Sequence, residues 1–278
     1  MPVAENAIRV CPLCGEDNRA QPISPYSQAP WEIKTCASCG FVYLENPPNY
    51  AELEENFAWE KTSAAEEARR NTARPLAKRV SRAFRTFRQK VLKRDKLPDL
   101  LARHLTRGKV LDVGCGGGSV LKNLPARYQP HGIEISRVLA AQADELARAR
   151  GGHVVQASAV DGLAQFAAGS MDGALLSAFL EHEAQPAKLL KELHRVLRPG
   201  APVIIKVPNY ACVNRMVRGA KWCGFRHPDH VNYFTPQSLA RLAQDCGFGI
   251  ARCTLGDRWP LSDNLWMVLA KKAAAAPR

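Results

Sequence analysis

The sequence predicts an α/β fold, an open, doubly wound sheet of seven strands preceded by a small cysteine ribbon and a basic helical segment. Three observations carry this expectation. From Lys109 onward, short apolar runs alternate with amphipathic stretches of helical length. The apolar run Val110–Val113 breaks directly into glycine at 114, 116, 117 and 118. Two C-x2-C pairs stand near the N-terminus, far from that alternation. The expected organisation is a ribbon over 1–49, a basic linker or cap over 50–107, the α/β domain over 108–271 and a disordered tail over 272–278.

Composition narrows the class. At 278 residues and 46% hydrophobic, the chain can bury one full α/β core and a small module besides. No stretch approaches 18 consecutive apolar residues, and the N-terminus lacks a basic-then-apolar signal, so a cytoplasmic protein with no membrane span is expected. Nine cysteines, an odd number, read as reduced thiols plus a metal site. The formal charge is +13, and residues 61–109 hold 16 Lys/Arg against four acids, nearly the whole excess.

In chain order, Cys11-Pro-Leu-Cys14-Gly and Cys36-Ala-Ser-Cys39-Gly come first. Two residues between thiolates let one turn present both sulfurs to one ion, and the glycine that follows supplies the dihedral the turn needs. Cys11, Cys14, Cys36 and Cys39 are therefore the expected ligands of a closed, structural zinc site, with a redox pair as the alternative. Phe41–Leu44 reads as a ribbon strand. Over 50–107, Leu76, Val80, Phe84, Phe87 and Val91 form one helical stripe with basic residues around it. That pattern suits a solvated helix packed on the catalytic domain, or a surface for phosphates or an acidic membrane. Pro98 is expected to close the segment.

Val110–Val113 is the first buried strand, and the glycines let the backbone turn sharply before a helix near Ser119. Taken alone, this is equally a tight strand-to-helix turn with no ligand. The second strand, His131–Ile135, changes the balance, because Glu134 at its tip is placed to accept from both ribose hydroxyls of a nucleoside. The spacing Gly114-x-Gly116-x-Gly118 departs from the dinucleotide rule, which wants glycine where Ser119 stands. Helix Val138–Arg148, strand His153–Ala157, strand four ending at Ser177, helix Ala187–Leu197 and strand Pro202–Pro208 follow. Thr235 is an N-cap with Pro236 at the first helical position, ahead of helix Gln237–Gly247. Phe248–Leu255 and Asn264–Ala270 are the closing strands.

Asp112-Val-Gly114-Cys-Gly116-Gly-Gly118, followed by Gly132-Ile-Glu134-Ile-Ser136, resembles the first two motifs of class I S-adenosylmethionine (SAM) dependent methyltransferases. Leu180-Glu181-His182, Leu197-Arg-Pro199-Gly200 and Val207-Pro208-Asn209 resemble the family's later motifs, in the expected order. The resemblance implies SAM held by Asp112, Gly114, Gly116, Gly118, Glu134 and Ile135, with Ser158 near the adenine and Ser177 at the end of strand four. Where the family often has an acid after strand three, this chain has Gln156-Ala-Ser158.

A hydroxyl or carbon acceptor also needs a base, and histidine suits neutral pH. His230 and His182 are the candidates, each set against a purely structural role. Cys115 reads as a small filler and Glu181 as a brace for its loop. The resemblance implies methyl transfer to a small or carrier-linked polar acceptor, such as a sugar or related metabolite. The alternative is RNA methylation, with the ribbon and basic helix gripping phosphates. Against it, Cys11–Cys39 holds only Arg19 and Lys34 as cations. A third reading is a catalytically silent ribbon module.

Overall fold

The computed structural model describes residues 8–48 and 96–272. The expected basic helix with its apolar stripe lies outside these residues, as does the tail from 273. The short strands β1 (Ile33–Thr35) and β2 (Val42–Leu44) belong to the cysteine ribbon. Helix α1 (Lys96–His104) follows, and Pro98 sits in its first turn. The expectation that Pro98 closes a segment is thus corrected. Proline lacks the N–H that a first turn leaves unbonded anyway, so here it helps begin a helix.

The main sheet then unwinds as β3 (Gly108–Val113), β4 (Tyr128–Glu134), β5 (Val154–Gln156), β6 (Gly173–Ser177), β7 (Pro202–Pro208), β9 (Phe248–Arg252) and β10 (Asn264–Lys271). Its spatial order is β5-β4-β3-β6-β7-β10-β9, with β10 antiparallel to both neighbours and the other pairings parallel. Strand order reverses between β3 and β6, which makes the carboxyl edge there the ligand crevice of a doubly wound sheet. All seven expected strands are present.

Alternation of side chains feeds two cores. Ala174, Leu176, Val203, Ile205, Met267 and Leu269 pack on one face, while Leu175, Ile204 and Val268 pack on the other. Helices α2 (Ser119–Asn123) and α3 (Arg137–Arg148) join α1 on the second face, through Leu121, Ala143, Leu101 and their neighbours. Helices α5 (Pro186–Val196) and α7 (Pro236–Asp245) cover the first, with the short α4 (Ala159–Ala164). The cap of α7 is a full capping box, Thr235 with Ser238, behind Pro236.

Between β7 and α7 the chain makes α6 (Val213–Arg218), a 3-10 turn (Gly219–Lys221) and the two-residue strand β8 (Asn232–Tyr233). β8 pairs antiparallel with β2, giving a second sheet in the order β1-β2-β8. The ribbon is therefore completed by a segment about 190 positions further along the chain. Ile33, Leu44, Trp222, Phe225, Val231 and Tyr233 form its core, and Phe41 meets Phe234 at 5.4 Å to reach the main one. Arg9 fastens the same junction. Its guanidinium donates to Leu44 O at 2.6 Å, Ala184 O at 2.9 Å, Asn232 Oδ1 at 3.2 Å, and also to Val231 O.

Candidate active site

The glycine turn after β3 is built for close approach. Gly114, Gly116 and Gly118 all have positive φ (71°, 53° and 79°), where a side chain is strained. Their surroundings differ. A Cβ on Gly114 would strike the Phe179 ring at 2.1 Å, and one on Gly118 would press on the Ala143 backbone at 3.1 Å. Among the described residues, a Cβ on Gly116 would meet nothing within 4 Å, so this glycine borders space that they leave open. Cys115 faces inward, where a Cβ on Gly132 would come within 2.6 Å of its sulfur, a filler as expected.

Glu134 ends β4 beside this turn. Gly116 N–H donates to its Oε2 at 2.8 Å and Ser136 N–H to its Oε1 at 2.9 Å. Each oxygen keeps a lone pair for another donor, which is the chemistry a ribose diol requires. Gly116 supplies the cradle and Glu134 the acceptors, so these residues fit a nucleoside. Asp112 lies behind them, 2% exposed, and burial followed by the charge of Glu134 pushes its carboxyl up to about 7. Ile135 follows Glu134, and its carbonyl accepts from Gln156 Nε2 at 3.4 Å. Ser158 spends its hydroxyl as the N-cap of α4, bonded to Asp161 at 2.7 Å. Ser177 is the last residue of β6.

The loop after β6 brings the histidines together. Ala178 has φ 57°, the single non-glycine residue with positive φ among the described residues. It throws Phe179 onto Gly114, and His182 N–H closes the turn onto Phe179 O at 2.8 Å. Glu181 is 1% exposed; its carbonyl accepts from Val231 N–H and Asn232 N–H, at 2.8 and 3.1 Å. The loop is thereby tied to the segment carrying His230. His182 and His230 meet edge to face at 4.7 Å between centroids.

Each ring is oriented by a backbone carbonyl, His182 Nδ1 on Asp229 O at 2.9 Å and His230 Nδ1 on Gly224 O at 2.8 Å. A carbonyl only accepts, so Nδ1 carries the proton in both rings and a neutral ring bears its lone pair on Nε2. Burial, reinforced by Arg226, pushes His182 down to about 4, which keeps it neutral. Burial also pushes the Glu181 carboxyl up to about 8. Phe179, Ala178 and Arg9 had no signal in the sequence. Only the contacts made by the folded chain reveal them.

In the ribbon, Cys11 Sγ lies 3.6 Å from Cys39 Sγ and Cys14 Sγ 3.5 Å from Cys36 Sγ, with all four sulfurs within 4.8 Å of one another. Gly15 and Gly40, φ 81° and 70°, close the two turns by donating to Cys11 O and Cys36 O. A tetrahedral zinc with bonds of about 2.3 Å would set its sulfurs roughly 3.8 Å apart. The thiols present fit that cage.

Sheet order, glycine turn and the acid at the tip of β4 together define a methyltransferase. The family profile described as a methyltransferase domain matches residues 84–252, and the chain belongs to that family. Its fold is that of the class I SAM-dependent enzymes. A methyltransferase of Methanosarcina mazei, described as SAM-dependent, has a similar structure with TM-score 0.50 at 22% identity, covering 63% of this chain and 98% of that one. Among curated relatives, the ubiquinone biosynthesis O-methyltransferase of Burkholderia pseudomallei is 27% identical over 175 residues, 58% of this chain and 75% of that protein. The protein of the same name from Methylococcus capsulatus is 31% identical over 152 residues, 51% of this chain and 64% of that protein. No helix among the described residues is long and apolar enough to cross a membrane.

Proposed function

We propose that the chain transfers the methyl group of SAM to a small or carrier-linked polar acceptor, a sugar or related metabolite, at oxygen or carbon. The observation carrying this reading is the Glu134 carboxylate, fixed by Gly116 N–H and Ser136 N–H beside the open space at Gly116. When bound, SAM supplies a methyl already activated by its sulfonium, which leaves the protein to bind, align and ionise. Glu134 holds the ribose, the turn from Gly114 to Gly118 passes beneath the amino-acid part, and Ile135 with the Ser158 backbone borders the base. Asp112 supports the turn from below, and Ser177 lies at the sheet edge beside it.

His182 and His230 form the acceptor side. Their shared orientation leaves a lone pair on Nε2, which suits withdrawal of a proton by His230, while burial makes His182 the weaker base. Relatives named as ubiquinone biosynthesis O-methyltransferases support this choice. The nucleic-acid alternative drew on a basic stretch of which residues 61–95 lie outside the described residues. Four thiolates at tetrahedral spacing support a structural zinc on Cys11, Cys14, Cys36 and Cys39. The ribbon over 1–49, the cap over 50–107 and the catalytic domain over 108–271 remain the proposed division.

The test is calorimetric. SAM and S-adenosylhomocysteine should bind the wild type, and Glu134→Ala should lose roughly 100-fold or more in affinity, two charge-assisted hydrogen bonds. Unchanged affinity in that variant would sink the reading.

A further inference from the structure

The acceptor side contains a group that methyl transfer by a histidine base leaves unexplained. Glu181 is 1% exposed, and its Oε2 has no hydrogen-bond partner among the described residues. A buried carboxyl oxygen left without a partner is costly, and native structures seldom hold one without a ligand, water or ion. Two imidazoles, each with its lone pair on Nε2, stand beside it. One ligating atom each from Glu181, His182 and His230 lie within 4.8 Å of one another.

Two further features describe what belongs between them. Both histidines give their Nδ1 protons to backbone carbonyls, of Asp229 and Gly224, the outer arrangement that fixes metal-ligating histidines in one tautomer. The three side chains also come from two separate segments, the loop after β6 and the insertion before β8, which Val231 N–H and Asn232 N–H lock to Glu181 O. An ion bound here would bridge segments the backbone already joins.

We propose that Glu181, His182 and His230 bind one divalent transition-metal cation, Zn2+ in the first instance. Two imidazoles and one carboxylate favour Zn2+ or Fe2+ over Mg2+ or Ca2+, which prefer all-oxygen shells. Bond lengths near 2.1 Å require each donor to move inward by under roughly 1 Å, within reach of a side-chain adjustment. Three protein ligands leave coordination positions open, unlike the closed four-thiol cage. His182 is the least buried of the three, so the open side adjoins it, on the loop whose Phe179 ring lies against Gly114. The charges of Lys206 and Arg226 reach Glu181, though Arg226 is engaged by Asp229 at 2.8 Å. The inference rests on the proposed function only for placing this ion beside the acceptor, and the imidazoles then serve as ligands in place of the base.

The full chain, purified without a histidine tag, is stripped with chelator, reloaded with Zn2+ and freed of excess metal. Elemental mass spectrometry then counts metal per chain. Two equivalents are expected in the wild type, and Glu181→Gln and His230→Asn should each fall to one. Reloading with Co2+ separates the sites in the wild type itself. Thiolate charge-transfer absorption reports the ribbon, and weaker bands that persist in Cys14→Ser report the second site. Wild type holding metal on the thiols alone, with no such bands, overturns the proposal. If His230→Asn then still abolishes turnover, the base reading survives without the metal. Two equivalents in a protein whose SAM affinity ignores Glu134→Ala would uphold the ion and defeat the proposed function.

Discussion

At the scale of single residues, backbone geometry and hydrogen-bond capacity decide what can change. Ala178 holds a left-handed conformation that costs a β-carbon about 1 kcal/mol. Ala178→Gly should therefore raise the unfolding free energy read from urea titration by up to about 1 kcal/mol, offset partly by glycine's freedom in the unfolded chain. Gly118→Ala should do the reverse. Its φ of 79° and the Ala143 backbone 3.1 Å from the new carbon leave no room to relax, so a loss of about 1–3 kcal/mol is expected by the same titration. The glycine turn and the seat of Glu134 beside it were legible because a sharp turn after a buried strand demands glycine and a strand tip carries its last side chain to the same edge. Phe179 and Ala178 were not, since a ring lying on a glycine and one unusual dihedral leave no pattern in neighbouring letters.

At the scale of elements, the doubly wound strands were readable because their burial on both faces forces continuous apolar runs, and Pro202–Pro208 matches its expected bounds. The weakest elements escaped. β8 is two residues long, and α6 is six residues with none buried, so neither carries a periodic signature. Yet β8 and its surroundings complete the ribbon sheet and carry His230 beside Glu181. Arg9 is the pin of that junction. Arg9→Met removes donors to Leu44 O, Ala184 O, Val231 O and Asn232 Oδ1, and should cost roughly 2–4 kcal/mol of stability. It should also lower kcat while leaving SAM affinity near wild type. Equal loss of both would show that the ribbon supports the whole molecule rather than the acceptor side.

For the whole molecule, two buried groups titrate in opposite directions. Burial, with His153 and Lys109 nearby, pushes His131 down to about 4 from an ordinary 6.5. A depressed histidine contributes stability that is present above about pH 6.5 and lost as pH falls toward 4. His131→Phe should flatten the melting curve on that acid side, where the wild-type loss is at most roughly 3 kcal/mol. Asp112 is raised to about 7, so its contribution is full below pH 3.8 and lost as pH rises through 7. Asp112→Asn should accordingly gain stability at pH 8, at most roughly 4 kcal/mol, and none below pH 3.8. Calorimetric melting from pH 4 to 8 without SAM checks both signs, and parallel shifts across that range would refute them.

The strand that finishes the cysteine module is encoded after five of the seven strands of the main sheet. During synthesis the first fifty residues emerge early, but the outer edge of β2 stays unpaired until Asn232 and Tyr233 leave the ribosome. A nascent chain must therefore carry an uncovered, aggregation-prone ribbon through most of its translation. Transplanting residues 8–48 to another protein would expose the same edge for good, whereas joining them to a short hairpin built from residues 230–235 would close it.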